Sequence, residues 1–239
     1  MSTLRPRFVR LTLAILAFCL PIASVFQAEG SVVLQPTDLN PGDDYRLVFV
    51  TSGMTQGLSD DINEYNNFVD GYGDLAMTSD WTAIASTFTV NARDNTGTTG
   101  SGGVPIYNLN GIRVADDYAD LWDTTIDNPI KYTEVGGTVN EKVWTGTDKD
   151  GTTPTNRYLG TLIPSGNEQA RVGNSTGKTG GWAQWGYDPL EDYRHMYGMS
   201  EVLTIPSEAV PEPASVIMWT LLGVVGCIGS WWHRRRKAG

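Results

Sequence analysis

Hydrophobic positions divide the chain into three regimes. Near the start, the apolar stretch 11–26 follows Arg5, Arg7 and Arg10, and the small residues Ala28 and Gly30 come after it. That order of charge, apolar run and small residues predicts an export signal over 1–30, cut before Ser31. At the other end, residues 214–232 carry no charge. Nineteen residues at a helical rise of about 1.5 Å span roughly 28 Å, close to the hydrocarbon thickness of a bilayer. Trp231 and Trp232 stand at the polar end of this run, next to Arg234, Arg235, Arg236 and Lys237. This predicts a transmembrane helix over 214–232 with a basic cytoplasmic tail, 233–239.

Between these segments the apolar positions are short and periodic. Residues 45–51 are β-branched and aromatic and read as a strand buried on both faces. Asp61 followed by Glu64 is a helix start, and Ile62, Tyr65, Phe68 and Val69 then share one helical face. A second short helix is expected over 81–85, and the Gly, Thr and Ser stretch 95–103 reads as a mobile loop. Residues 104–109 form a strand closed by a turn at Asn110 and Gly111, and 116–122 a helix with Tyr118, Leu121 and Trp122 inward. A short strand, 142–146, enters an acidic turn at Asp148, Lys149, Asp150 and Gly151. The Gly-rich segment 166–186 precedes a closing strand over 197–205. The expected class is α+β, with long loops in the second half.

Composition narrows the function classes. The segment 31–213 holds 26 acidic and ten basic side chains, a net charge of −16 against −10 for the whole chain. Such a surface repels nucleic acid and anionic membranes and suits solubility or cation binding. Cys19 and Cys227 both fall in the apolar segments, so the domain between them has no disulfide and holds together by packing or bound ions. His233 belongs to the tail, which leaves His195 alone. A zinc centre needs three or four ligands and a nucleophilic triad needs partners, so His195 reads as a structural residue beside a late strand.

Two resemblances add to this reading. The triplet Pro211, Glu212, Pro213, the span 214–232 and the basic cluster Arg234, Arg235, Arg236 and Lys237 together resemble the PEP-CTERM sorting signal of bacteria. This implies recognition by an exosortase-type enzyme, removal of the tail and delivery to the cell surface. An ordinary single-span anchor behind a stiff 206–213 linker accounts for the same residues. The ordered pieces 45–52, 104–111, 119–122 and 143–151 are similar to the endostatin-like branch of the C-type-lectin-like fold, over roughly 45–205. The most specific of them is the Trp144-Thr145-Gly146-Thr147-Asp148 run with Asp150 and Gly151. The chain departs from that family in lacking its cystines, with Leu159 at one expected cysteine position, and in lacking the histidine-rich zinc site of vertebrate endostatin. The fold itself hosts many unrelated sites.

Candidate chemistry lies in three places. Asp148 and Asp150 before Gly151 alternate as in calcium loops. A helix–loop–helix hand is excluded because Gly146 and Arg157 fall where its first and twelfth ligands belong. A calcium site shared between loops stays open, beside a plain acidic turn. Asp116, Asp120 and Asp123, at spacings of four and three, would line one helical face and hold a cation or an acid–base pair, unless Asp116 or Asp117 caps the helix and the rest are solvated. Trp182, Trp185 and Tyr187, set among glycines with Gln184, form either a sugar-stacking platform or plugs under a long loop. The resulting expectation is an exported, non-catalytic lectin-like module acting at the surface or in extracellular polysaccharide, with no required cofactor. The alternatives are a hydrolase with paired carboxylates 5–10 Å apart, in roughly the range of glycosidase pairs, and a passive acidic matrix protein.

Overall fold

The structure is a computed structural model that describes residues 35–161 and 168–206. The expected export signal, the sorting triplet Pro211-Glu212-Pro213, the span and the basic cluster Arg234 to Lys237 lie outside the described residues. Among the described residues, no helix is long and apolar enough to cross a membrane. Strand β1 (Asp44–Val50) leads into the one long helix among the described residues, α1 (Ile62–Ala76). Strand β2 (Trp81–Ala83), a helical turn α2 (Ala92–Asn95), β3 (Ile106–Asn108), β4 (Arg113–Ala115) and a second helical turn α3 (Tyr118–Leu121) complete the first half. The second half is strand and loop: β5 (Lys142–Trp144), β6 (Gln169–Asn174), a 3-10 turn at Gly180–Trp182, β7 (Gly186–Pro189), β8 (His195–Ser200) and β9 (Leu203–Thr204).

These elements make a mixed α/β structure that is mostly one open sheet, with strand order β4-β3-β1-β8-β5-β6-β7; β2 joins at β8 and β9 at β1. Strand β1 runs parallel to β3, pairing Leu47 with Tyr107, and antiparallel to β8, pairing Phe49 with Gly198. It is buried on both faces because each face carries its own core. Tyr45, Leu47 and Phe49 meet Tyr65 and Val69 of α1 together with Trp81, Trp144 and Leu159. Val48 and Val50 point the other way, toward Ile106, Val114, Leu121, Trp122, Val143 and Trp182. The near-continuous apolar run in the sequence is the pattern that two-sided burial demands.

Helix α1 starts where expected: the Asp61 side chain accepts the Asn63 amide at 2.9 Å. Its buried stripe is Tyr65, Val69 and Gly73. Gly73 is needed for close approach, since a Cβ there would lie 2.4 Å from Cγ of Trp81.

Residues 81–85 are not a helix. Trp81 to Ala83 pair with β8, and α1 holds them through Asp70, which accepts the Trp81 amide at 3.0 Å, and Asn66, which accepts the Ala83 amide at 2.9 Å. Tertiary pairing outweighs local preference here. The stretch 95–103 is not a free loop at its start either. Arg46, buried beside Tyr118, donates to the Thr96 carbonyl at 2.6 Å and to the Ser200 carbonyl at 2.9 Å, and Trp122 Nε1 donates to Thr98 Oγ1 at 2.9 Å. The expected helix over 116–122 is a single turn, capped by Asp117, whose side chain accepts the Asp120 amide. The expected closing strand is two strands. Ser200 gives its carbonyl to Arg46 and its hydroxyl accepts the Leu47 amide at 2.9 Å, while the Glu201 amide turns away to Asp80. Leu159, at the position where the lectin-like resemblance implies a cysteine, is fully buried in the core beside Trp144.

Candidate functional site

The long second-half loops present one aromatic surface. Strand β7 lies antiparallel to β6, with Tyr187 opposite Arg171 and Gly186 opposite Val172, and the Trp185 amide extends this ladder by donating to the Val172 carbonyl at 2.7 Å. Trp185 lies at the bend that leads into β7 and Tyr187 on β7 itself. They are 62% and 52% exposed. The indole sits over the 3-10 turn where Gly181 makes room, a Cβ there coming 3.0 Å from the ring. The guanidinium of Arg157 lies 4.6 Å from the Tyr187 ring centre and donates to Gln169 Oε1 at 3.0 Å. This stacking holds the phenol ring in place without covering it. Gln184, the residue before Trp185, accepts the Lys149 amide through Oε1 at 3.3 Å.

Trp182 does not belong to this surface. It is fully buried, packed between Trp122 (ring centres 5.4 Å apart) and Tyr197 (6.0 Å), so no ligand can stack on it. Two tryptophans three residues apart thus divide into a core plug and a surface ring because the 3-10 turn rotates one inward.

The acidic candidates are each engaged locally. Asp148 pairs with Arg171 at 2.6 Å. Asp150 accepts both the amide (3.0 Å) and the hydroxyl (2.6 Å) of Thr152, closing the turn. Burial opposes ionisation of Asp150, but these bonds and the charge of Arg93 outweigh it and hold its carboxyl below the usual range. Asp116 is paired with Arg113 at 2.6 Å, and its amide donates to Asp120 Oδ2 at 2.7 Å. Burial pushes the Asp120 carboxyl up, with repulsion from Asp127, Asp123 and Asp116 adding to it against that bond. Asp123 accepts from Thr125. With α3 only one turn long, Asp116, Asp120 and Asp123 do not form the helical face that the spacing predicts. Among the described residues, no three His, Cys, Asp or Glu side chains come together as a metal site. His195 is a buried β8 residue whose Nδ1 lies 2.7 Å from the Thr51 carbonyl and 3.1 Å from that of Gly53.

Sequence reasoning misses a second concavity, between the 54–59 loop, the first turns of α1 and Tyr193. It encloses about 380 Å³ and has Met54, Leu58, Tyr65, Phe68, Glu64 and Tyr193 on its walls. Its residues are scattered along the chain, and the only hint in the sequence is apolar Met54 and Leu58 in an otherwise polar loop. No known family model matches the chain, and no curated protein matches it.

Proposed function

We propose that this chain is an exported bacterial surface protein, sorted through its PEP-CTERM-like tail, whose α/β domain is a non-catalytic recognition module of C-type-lectin-like fold. Three features support the fold reading. The first strand pairs with the last two, residues 44–45 lie beside 203–204, and the second half carries long connections around the short strand β5, whose last residue opens the Trp144-Thr145-Gly146 run. The observation that carries the recognition reading is the pair of exposed rings Trp185 and Tyr187, the first packed over Gly181 and the second stacked on Arg157. Exposed aromatic rings with a guanidinium donor beside them suit the apolar face and hydroxyl rim of a sugar in extracellular polysaccharide. Engagement of Asp116, Asp120, Asp148 and Asp150 by neighbouring amides, hydroxyls and guanidiniums favours recognition over acid–base hydrolysis.

The test is retention of the purified chain on immobilised polysaccharide from its native cells, with Trp185→Ala and Tyr187→Ala beside the wild type. Each ring lies on the surface, so both variants should fold. Loss of a central aromatic contact should weaken binding by about tenfold or more. No retention of the wild type, or unchanged retention of both variants, would overturn the recognition reading in favour of a passive acidic matrix protein.

A further inference from the structure

The concavity beside α1 is prepared for a ligand of a different kind. Its loop is fixed from several sides. Thr55 exchanges amide–carbonyl bonds with Arg194 at 2.9 Å in both directions, its carbonyl also accepts Trp144 Nε1 at 3.1 Å, and the Gly57 amide donates to the Leu190 carbonyl at 2.8 Å. The bonds to Arg194 set the neighbouring Tyr193, 58% exposed, across from Phe68. Tyr65 forms the floor, its hydroxyl accepting the Ser59 amide at 2.9 Å and donating to the Ser59 carbonyl at 3.0 Å. The walls are therefore in place before anything binds, which lowers the ordering cost of association.

The charge is one-sided. Glu64 stands at the rim, and the adjoining recess of about 220 Å³, which shares Gln56 and Leu58, adds Glu168 and Glu191. Among the described residues, no basic side chain lines either recess. The nearest guanidinium in sequence, Arg194, is already bonded to Asp188 and Asp192 at 2.8 Å each. Aromatic faces and a thioether next to uncompensated carboxylates make a poor site for an anion. They make a good one for a cation with an apolar body, which gains ring quadrupole and Coulomb attraction together. At about 380 Å³ the space is that of a small-molecule site.

We propose that this groove binds an organic ammonium ion, with its apolar body against Tyr193, Phe68 and Met54 and its charge toward Glu64. The ammonium group can come from a free small amine or from an amino-sugar unit, and both present the same chemistry.

The test is calorimetric titration of the full chain with choline, with glucosamine, and with N-acetylglucosamine as the uncharged counterpart. Binding of choline alone supports the site and identifies free amines as the source; binding of glucosamine supports it and identifies amino sugars. Glu64→Gln and Tyr193→Ala should each weaken the interaction about fivefold or more, and raised salt should weaken it further. Trp185→Ala should leave choline binding unchanged, which separates this site from the proposed polysaccharide surface. Both groove variants alter exposed side chains, and circular dichroism checks that they fold. Absence of binding by both ammonium compounds would overturn the proposal. So would equal binding of N-acetylglucosamine and glucosamine to the Trp185→Ala chain, or choline binding unaltered in both folded groove variants.

Discussion

Asp188 on β7 has a side chain only 7% exposed, yet it sits between two cations from different parts of the sheet, Lys142 Nζ at 2.6 Å and Arg194 Nε at 2.8 Å. Burial works against its ionisation, but the bonds and charges of Lys142 and Arg194 win and hold its carboxyl below the usual range. Because the folded chain binds this proton less readily than the unfolded chain, the contribution is complete above the ordinary carboxylate range. It is lost as the pH falls through and below about 4. Asp188→Asn leaves two cations facing a neutral amide and should reduce the unfolding free energy by about 2–4 kcal/mol at neutral pH. Urea unfolding at a series of pH values checks this: the gap between variant and wild type should close as the wild-type carboxylate is protonated. A gap that persists undiminished at pH 3 would mean that shape, not charge, is what Asp188 supplies. Little of this is legible in the sequence, because the three partners are separated by up to 52 positions and the β5–β6, β6–β7 and β5–β8 pairings bring them together.

The packing of α1 against β2 shows how two neighbouring glycines in one helix take opposite roles. Gly71 is exposed, with nothing within 4 Å of where a Cβ would stand, whereas Gly73 faces the Trp81 ring. Alanine improves helix propensity by about 0.8–1 kcal/mol at either position. At Gly73 that gain is opposed by an overpacking cost of about 1–3 kcal/mol. Gly71→Ala should therefore raise the melting temperature and Gly73→Ala lower it; equal shifts in one direction would contradict the packing described. The start and the apolar face of α1 were readable because Asp61 and the period of Ile62, Tyr65 and Val69 are local signals. Strand β1 was readable because burial on both faces writes itself into consecutive residues. Strands β4, β6 and β7 were not, since Arg113, Gly173, Gly186 and Pro189 carry no strand pattern and take their conformation from pairing. The aromatic surface was half legible: Trp185 and Tyr187 lie outside and Trp182 inside, a division that composition cannot make.

For the whole molecule, the proposed sorting rests on segments outside the described residues, and its check is cellular. In native cells, replacement of Pro211, Glu212 and Pro213 by alanine should leave the chain in the inner-membrane fraction with its C-terminus intact. The wild type should lose both terminal segments and appear at the surface. Intact mass and fractionation read this directly, and an unprocessed wild type would mean a plain anchor. The acidic segment, with 26 carboxylates between residues 31 and 213, repels anionic polymers. Under the proposed function, binding would then come from specific surfaces, not from bulk charge.

Strand β9 lies beside the start of β1, with Thr204 opposite Asp44, and the Gly42 and Ile205 backbones close the junction through bonds of 2.8 and 2.9 Å. Residues 44 and 204 are thus about one strand spacing apart, some 5 Å. A domain whose two ends meet is a plug-in unit: it can be spliced into a hairpin loop of another protein without prying that loop open, or copied within a gene without disturbing its neighbours. The proposed recognition surfaces on Trp185 and Tyr193 would then travel as one cassette, indifferent to the chain that carries them.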